Sequence, residues 1–130
     1  MLRFGKYLIF LTFAFSLCAC SAGEAGTTIT EKDAGKTITL AVGDVLTVNL
    51  EGNITTGYNW ELENTDLQIL ELAEEPSYAP ENEMPGSPGV ITLRFKAVVT
   101  GQEILKLVYR RSWETDVDPL ESFAIIVEVK

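Results

Sequence analysis

From Thr27 onward, apolar and polar side chains alternate with a period of two, again and again, in short runs rich in Val, Ile and Thr. Such a pattern puts every second side chain on one face of a pleated strand and cannot line one face of a helix. In VLTVNLE, Leu46, Val48 and Leu50 point one way and Thr47, Asn49 and Glu51 the other. KTITLAV, YNWELE, LQILEL, VITLRFKAVV, EILKLVYRR and SFAIIVEVK repeat the habit, and a weaker opening strand falls near Thr28–Glu31. Turn residues separate the runs at Ala34-Gly35, Val42-Gly43-Asp44, Glu51-Gly52-Asn53, Asn64-Thr65-Asp66 and Thr100-Gly101. The expected class is all-β: about eight antiparallel strands in a two-layer sandwich. Its core is expected to take Ile38, Leu40, Leu46, Val48, Leu50, Trp60, Leu62, Leu93, Phe95, Leu105, Leu107, Tyr109, Phe123, Ile125 and Val127. One local rival is a short helix over TDLQILELAEE capped by Thr65; the surrounding strands favour extended chain.

At 130 residues the chain has room for one ordinary domain, and a 46% hydrophobic content is enough to fill its core. It contains no histidine, which removes Ser-His-Asp triads, Cys-His pairs and histidine metal sites. Cys18 and Cys20 are its two cysteines, so the body of the domain has no disulfide, thiolate metal site or CxxC redox pair. Neither a cofactor nor a metal is expected.

Residues 1–19 have the layout of an export signal: basic Arg3 and Lys6, the apolar run YLIFLTFAF, then small residues. Leu17-Cys18-Ala19-Cys20 resembles the bacterial lipobox, in which the cysteine thiol takes a lipid and becomes residue one after cleavage. Cys20 is that candidate; the alternative is an ordinary cut after Ala19 or Ala22. Residues 20–26 then form a small, polar tether, and residues 27–130 the domain. The expected location is outside the inner membrane, periplasmic or at the cell surface, held by lipid alone. Removing Arg3 and Lys6 leaves 10 − 2 = 8 basic against 19 acidic side chains, a net charge of −11. That opposes a nucleic-acid partner. A monomer is expected.

Three connections are richer than turns require. One is Asn53-Ile54-Thr55-Thr56-Gly57-Tyr58-Asn59-Trp60. Another is Glu75–Gly89, some fifteen residues with four prolines, ending in Gly86-Ser87-Pro88-Gly89. The last is Tyr109-Arg110-Arg111-Ser112-Trp113-Glu114, running on to Pro119. A long proline-rich connection loses little entropy on ordering, which suits a preshaped binding loop. A tryptophan in a loop suits an interface anchor; alternatively Trp113 folds back over the sandwich edge.

In this order the three segments resemble the chagasin-like inhibitors of papain-type cysteine proteases. The family pattern N-P-T-T-G-[YF]-x-W appears as NITTGYNW, G-x-[GP]-G as GSPG, and R-P-W as RSW. Ile54 and Ser112 stand where the family has proline, which leaves those backbones less preset. The resemblance spans about residues 27–130. It implies an immunoglobulin-like sandwich presenting the loops side by side as a wedge for a papain-like cysteine protease. Residues Asn53, Thr55, Thr56, Gly57 and Tyr58 would carry the central loop, with Gly57 letting the main chain approach the active-site thiol. Gly86, Ser87, Pro88 and Gly89 would lie along one cleft wall, and Arg111 and Trp113 along the other.

Two other classes stay open at this level. A cell-surface binding or assembly module could use the same loops for another partner. An enzyme would have to work with carboxylates such as Asp116, Asp118, Glu74 and Glu75, which on surface loops are ordinarily just solvated. A calcium site at Glu114, Asp116, Asp118 and Glu121 fits no EF-hand spacing. Asn53-Ile54-Thr55 also matches the glycosylation pattern, by chance in a chain with a bacterial-type signal.

Overall fold

A computed structural model describes residues 25–130; the export signal, Cys20 and most of the tether lie outside the described residues. The described residues form nine strands: β1 Gly26–Thr30, β2 Thr37–Leu40, β3 Val45–Gly52, β4 Asn59–Leu62, β5 Leu70–Leu72, β6 Ser77–Pro80, β7 Gly89–Ala97, β8 Gly101–Arg110 and β9 Glu121–Val129. Its described helical pieces are single 3-10 turns at Glu31–Asp33 and Ile54–Thr56. The helix considered over TDLQILELAEE is absent; Leu70–Leu72 is strand, because Leu70 buries its side chain while pairing with Ala97 of β7.

One sheet has the order β1-β3-β7-β5, with β6 also on β7, and the other the order β2-β9-β8-β4. Two expectations are corrected here. The described residues hold nine strands where about eight were expected, because Ser77–Pro80, inside the segment read as one long loop, pairs with β7. Nor is every pair antiparallel: β1 runs parallel to β3, with Gly26 opposite Val45, and β2 runs parallel to β9. Both departures from antiparallel pairing come from chain that switches sheets. A strand that crosses to the other layer need not return as a hairpin, so its eventual neighbour is free to run the same way. The strand β1 also starts at Gly26, inside the stretch assigned to the tether.

The period-two pattern translates directly into layers. On β7, Ile91, Leu93, Phe95 and Ala97 are buried; on β8 Leu105, Leu107 and Tyr109; on β9 Phe123, Ile125, Val127 and Val129. Each large apolar side chain so enclosed contributes about 1.5–3 kcal/mol. Of the core residues expected from sequence, Ile38 and Leu62 are only partly buried and pack against the cluster from its rim. Ile29, from the weak opening strand, and Ile69 and Leu70, from LQILEL, join the core as well. Val42, in phase with Ile38 and Leu40, is exposed because β2 ends at Leu40 and the turn carries it outward.

Directions follow from the pairing. Strand β3 is antiparallel to β7, and β8 to β9 and β4. The connections β3–β4, β6–β7 and β8–β9 therefore emerge at one end of the sandwich. These connections contain the three segments singled out in the sequence.

Candidate functional site

The first loop is built around Asn53. Strand β3 ends at Gly52 and the chain makes one 3-10 turn, Ile54–Thr56, with Asn53 as its N-cap. The Asn53 Oδ1 accepts from the Thr55 amide at 3.1 Å and from the Thr55 hydroxyl at 2.5 Å. Asn53's carbonyl accepts the Thr56 hydroxyl at 2.7 Å. An N-cap asparagine is favoured because it satisfies amides that the turn itself leaves unpaired. Gly57 closes the turn in the left-handed region, φ 85°, and donates to the Ile54 carbonyl at 3.0 Å. Glycine takes that conformation without the cost a side chain would add.

The second loop is shorter than the sequence suggested, because β6 and β7 form a hairpin whose free part is 81–88. Glu81 N donates to Pro88 O at 2.9 Å and closes it. At its apex Ser87 N reaches Met84 O at 3.1 Å, with Pro85 and Gly86 between them and Gly86 at φ 79°. Proline followed by a positive-φ glycine is the chemistry of a type II turn. Met84 N donates to Asn82 Oδ1 at 2.9 Å. Gly86 and Pro88 are exposed, but Ser87 is only 9% exposed and Gly89 is buried in the β-ladder. Ser87's carbonyl accepts the Tyr78 hydroxyl at 2.8 Å, and a Cβ on Gly89 would lie 2.2 Å from Ala79 O. Ser87 and Gly89, expected on the contacting edge, are thus brought to the site as its internal supports. The exposed apex runs from Asn82 to Gly86 instead.

The third loop leaves β8 at Arg110. Glu114 N donates to Arg111 O at 3.0 Å, making a turn with Ser112 and Trp113 at its corners. Leu120 N donates to Tyr109 O at 2.9 Å and fixes where the loop returns. Glu61 on β4 holds the base from outside: one carboxylate oxygen accepts from Arg110 Nε at 2.9 Å and the other from the Ser112 hydroxyl.

The loops are tied to one another. Asn53 Nδ2 donates to Gly86 O at 3.0 Å, joining the first to the second. Arg111 Nε donates to Thr56 O at 3.0 Å, joining the first to the third. The Arg111 guanidinium also sits 4.5 Å over the Tyr58 ring and pairs with Glu114 at 3.0 Å. The hydrogen bond to Glu114 raises its pKa further, so Arg111 stays charged. The indole of Trp113 lies against Gly57, where a Cβ would come within 2.5 Å of Cη2. Trp113 remains 68% exposed, so it neither folds back over the sandwich edge nor loses its apolar face. The space left by the missing Cβ of Gly57, expected to admit a close approach to a protease thiol, is taken by this indole.

Beneath the loops an aromatic column leads to the core. Trp60 and Tyr58 each lie 5.3 Å from Tyr109, at 32°. The Tyr109 hydroxyl accepts from Asn53 N at 2.9 Å, and Trp60 Nε1 donates to Glu51 O at 3.0 Å. Sequence reasoning missed Glu61, Tyr78, Tyr109 and Glu114 as positioning residues. Glu61 and Tyr109 lie on strands as ordinary members of the alternation, Tyr78 and Glu114 in segments read as loop, and only long-range pairing reveals their second duty. The Thr55 and Thr56 hydroxyls are spent inside the turn. What the site offers a partner is therefore a preshaped surface of main chain and exposed side chains, flanked by the exposed carboxylates of Glu81, Glu83, Asp116 and Asp118.

Residues 39–127 match the family described as chagasin family peptidase inhibitor I42. Amoebiasin-2 of Entamoeba histolytica is 29% identical over 117 residues, 89% of this chain and 95% of that protein. Chagasin of Trypanosoma cruzi is 24% identical over 104 residues, 77% of this chain and 94% of that protein. The crystal structure of a cysteine protease inhibitor from Entamoeba histolytica superposes with a TM-score of 0.70 at 28% identity, covering 82% of this chain and 96% of that one.

Proposed function

Because the chain belongs to the chagasin family and is an inhibitor of cysteine proteases, we infer that it works by lodging its three loops together in the cleft of a papain-like enzyme. The observation that carries this mechanism is the mutual fastening of the loops through Asn53–Gly86, Arg111–Thr56 and Trp113–Gly57. A tip already ordered before contact loses little entropy on binding, and one exposed indole supplies a strong apolar anchor. Ile54 to Gly57 would occupy the centre of the cleft, the Asn82–Gly86 apex one wall, and Trp113 the other. Arg111 acts from within the tip as a clamp on Thr56. In this reading the protein is not an enzyme: the protease's thiol meets a fixed turn instead of a strand that can be cut.

The chain is exported and anchored by a lipid on Cys20, and acts as a monomer. The lipobox-like Leu17-Cys18-Ala19-Cys20 and the short tether support the anchor. Loss of the protein from the membrane fraction in a Cys20→Ala variant is the expected result; unchanged membrane retention would count against the anchor.

The decisive experiment is titration of papain, as a generic target, with the chain from Cys20. Stoichiometric loss of peptide hydrolysis is expected, with the inhibitor recovered uncut. Trp113→Ala should weaken inhibition by about 2 kcal/mol or more, as for a hot-spot residue. Undisturbed hydrolysis by papain and other papain-like enzymes would overturn the mechanism.

A further inference from the structure

Each of the three loops exposes a large apolar side chain near its tip, Ile54 at 41%, Met84 at 72% and Trp113 at 68%, and the third loop adds Val117 at 57%. Met84 is the least expected. Its neighbours at the apex, Glu81, Asn82 and Glu83, are polar, and a solvated turn gains nothing from an apolar residue at its corner. Yet the backbone that carries it is tightly held. Its amide is bonded to Asn82, its carbonyl to Ser87, the next residue is proline, and Gly86 is fastened to Asn53. A flexible, polarisable side chain on a rigid mount suits an irregular apolar surface on a partner. Met84 also carries the only sulfur among the described residues.

We propose that Met84 is a specificity-determining contact of the inhibitory tip, packing against an apolar part of the protease cleft, and that oxidation of its sulfur weakens inhibition. This rests on the wedge mechanism above. The oxidant is a hydroperoxide. Its O–O bond breaks, one oxygen is transferred to a sulfur lone pair, the thioether is oxidised by two electrons to a sulfoxide, and the hydroperoxide departs as an alcohol or as water. The product is polar where the cleft wall is apolar, so contact area turns into a desolvation cost.

The test uses the chain from Ser21, which carries no thiol, against papain, with Met84→Gln as a polar mimic of similar length and Met84→Leu as an apolar, sulfur-free control. Met84→Gln is expected to raise the inhibition constant about tenfold, equivalent to about 1.4 kcal/mol. Met84→Leu should stay within about threefold of the natural protein. Hydrogen peroxide treatment, followed by mass spectrometry to the gain of one oxygen, should bring the natural protein to the Met84→Gln value and leave Met84→Leu unaffected. Thermal melting checks that every variant is folded. If Met84→Gln inhibits like the natural protein while Trp113→Ala does not, Met84 is no contact and the wedge stands. If peroxide weakens Met84→Leu equally, the sensitive group lies elsewhere and the redox claim falls. A natural protein that inhibits no papain-like enzyme removes both.

Discussion

Gly57 shows how much one residue can be asked to do. Its φ of 85° and the indole lying over it are separate constraints that both exclude a side chain. Gly57→Ala should cost about 1–2 kcal/mol from the left-handed conformation alone, and should also lift Trp113 off the first loop. The protein should stay folded with a lower melting temperature, while papain inhibition falls more than stability does. Ile54 makes the opposite case. It is the first residue of the 3-10 turn, where proline removes no intrahelical bond. Asn53 before it is extended, φ −136° and ψ 97°, as a residue before proline prefers. Ile54→Pro should therefore stabilise the chain by about 0.4–1 kcal/mol through the unfolded state, read as a raised melting temperature, and should tighten inhibition. Of the residues that would meet a partner, Thr55, Thr56 and Trp113 were legible in the sequence, and Met84 was not. Those that hold them, Glu61, Tyr78 and Tyr109, were not, because an outward glutamate or a core tyrosine looks the same whether or not its far end reaches a loop.

Among the elements, the hairpin of β6 and β7 is the one the sequence concealed. Ser77-Tyr78-Ala79-Pro80 has one large side chain and ends in a residue with no amide hydrogen, so no alternation announces it. It is a strand because it lies at an edge, where Pro80 opposite Gly89 sacrifices little of the ladder. Gly89 permits this closeness: a Cβ there would stand 2.2 Å from Ala79 O and 2.7 Å from Pro80 Cα, both backbone atoms that cannot swing aside. Gly89→Ala should part β6 from β7 at the end that supports the Met84 turn. A loss of about 1–3 kcal/mol is expected, measured by urea unfolding, together with weaker papain inhibition. The long strands β3, β7, β8 and β9 were legible, since alternation over most of their eight to ten residues outweighs breaks such as Val108 on β8. Direction was not legible: the parallel placement of β1 and β2 depends on which layer each joins, and no local pattern encodes that.

For the molecule as a whole, strand direction decides where everything else lies. Strand β1 begins opposite Val45 and runs alongside β3, whose far end at Gly52 delivers the first loop. Eight residues of extended chain separate the two ends of β3, about 25 Å at 3.3 Å each. The C-terminal end of β9, at Val129, pairs with Gly101 and so lies at the starting end of β8, also remote from the loops. A lipid on Cys20 would then hold the domain by its heel. Coupling the Cys20 thiol to a maleimide lipid in vesicles should leave inhibition of dissolved papain unchanged. Moving the thiol to the exposed Thr115, as Cys20→Ser with Thr115→Cys, should press the loops toward the bilayer and mask them. Equal inhibition by both attachments would refute the geometry. Held this way, the protein would stand on the cell like a bollard with its loops outermost. It would intercept peptidases arriving through the surrounding fluid, and it would be poorly placed to reach one whose cleft sits close to the same lipid leaflet.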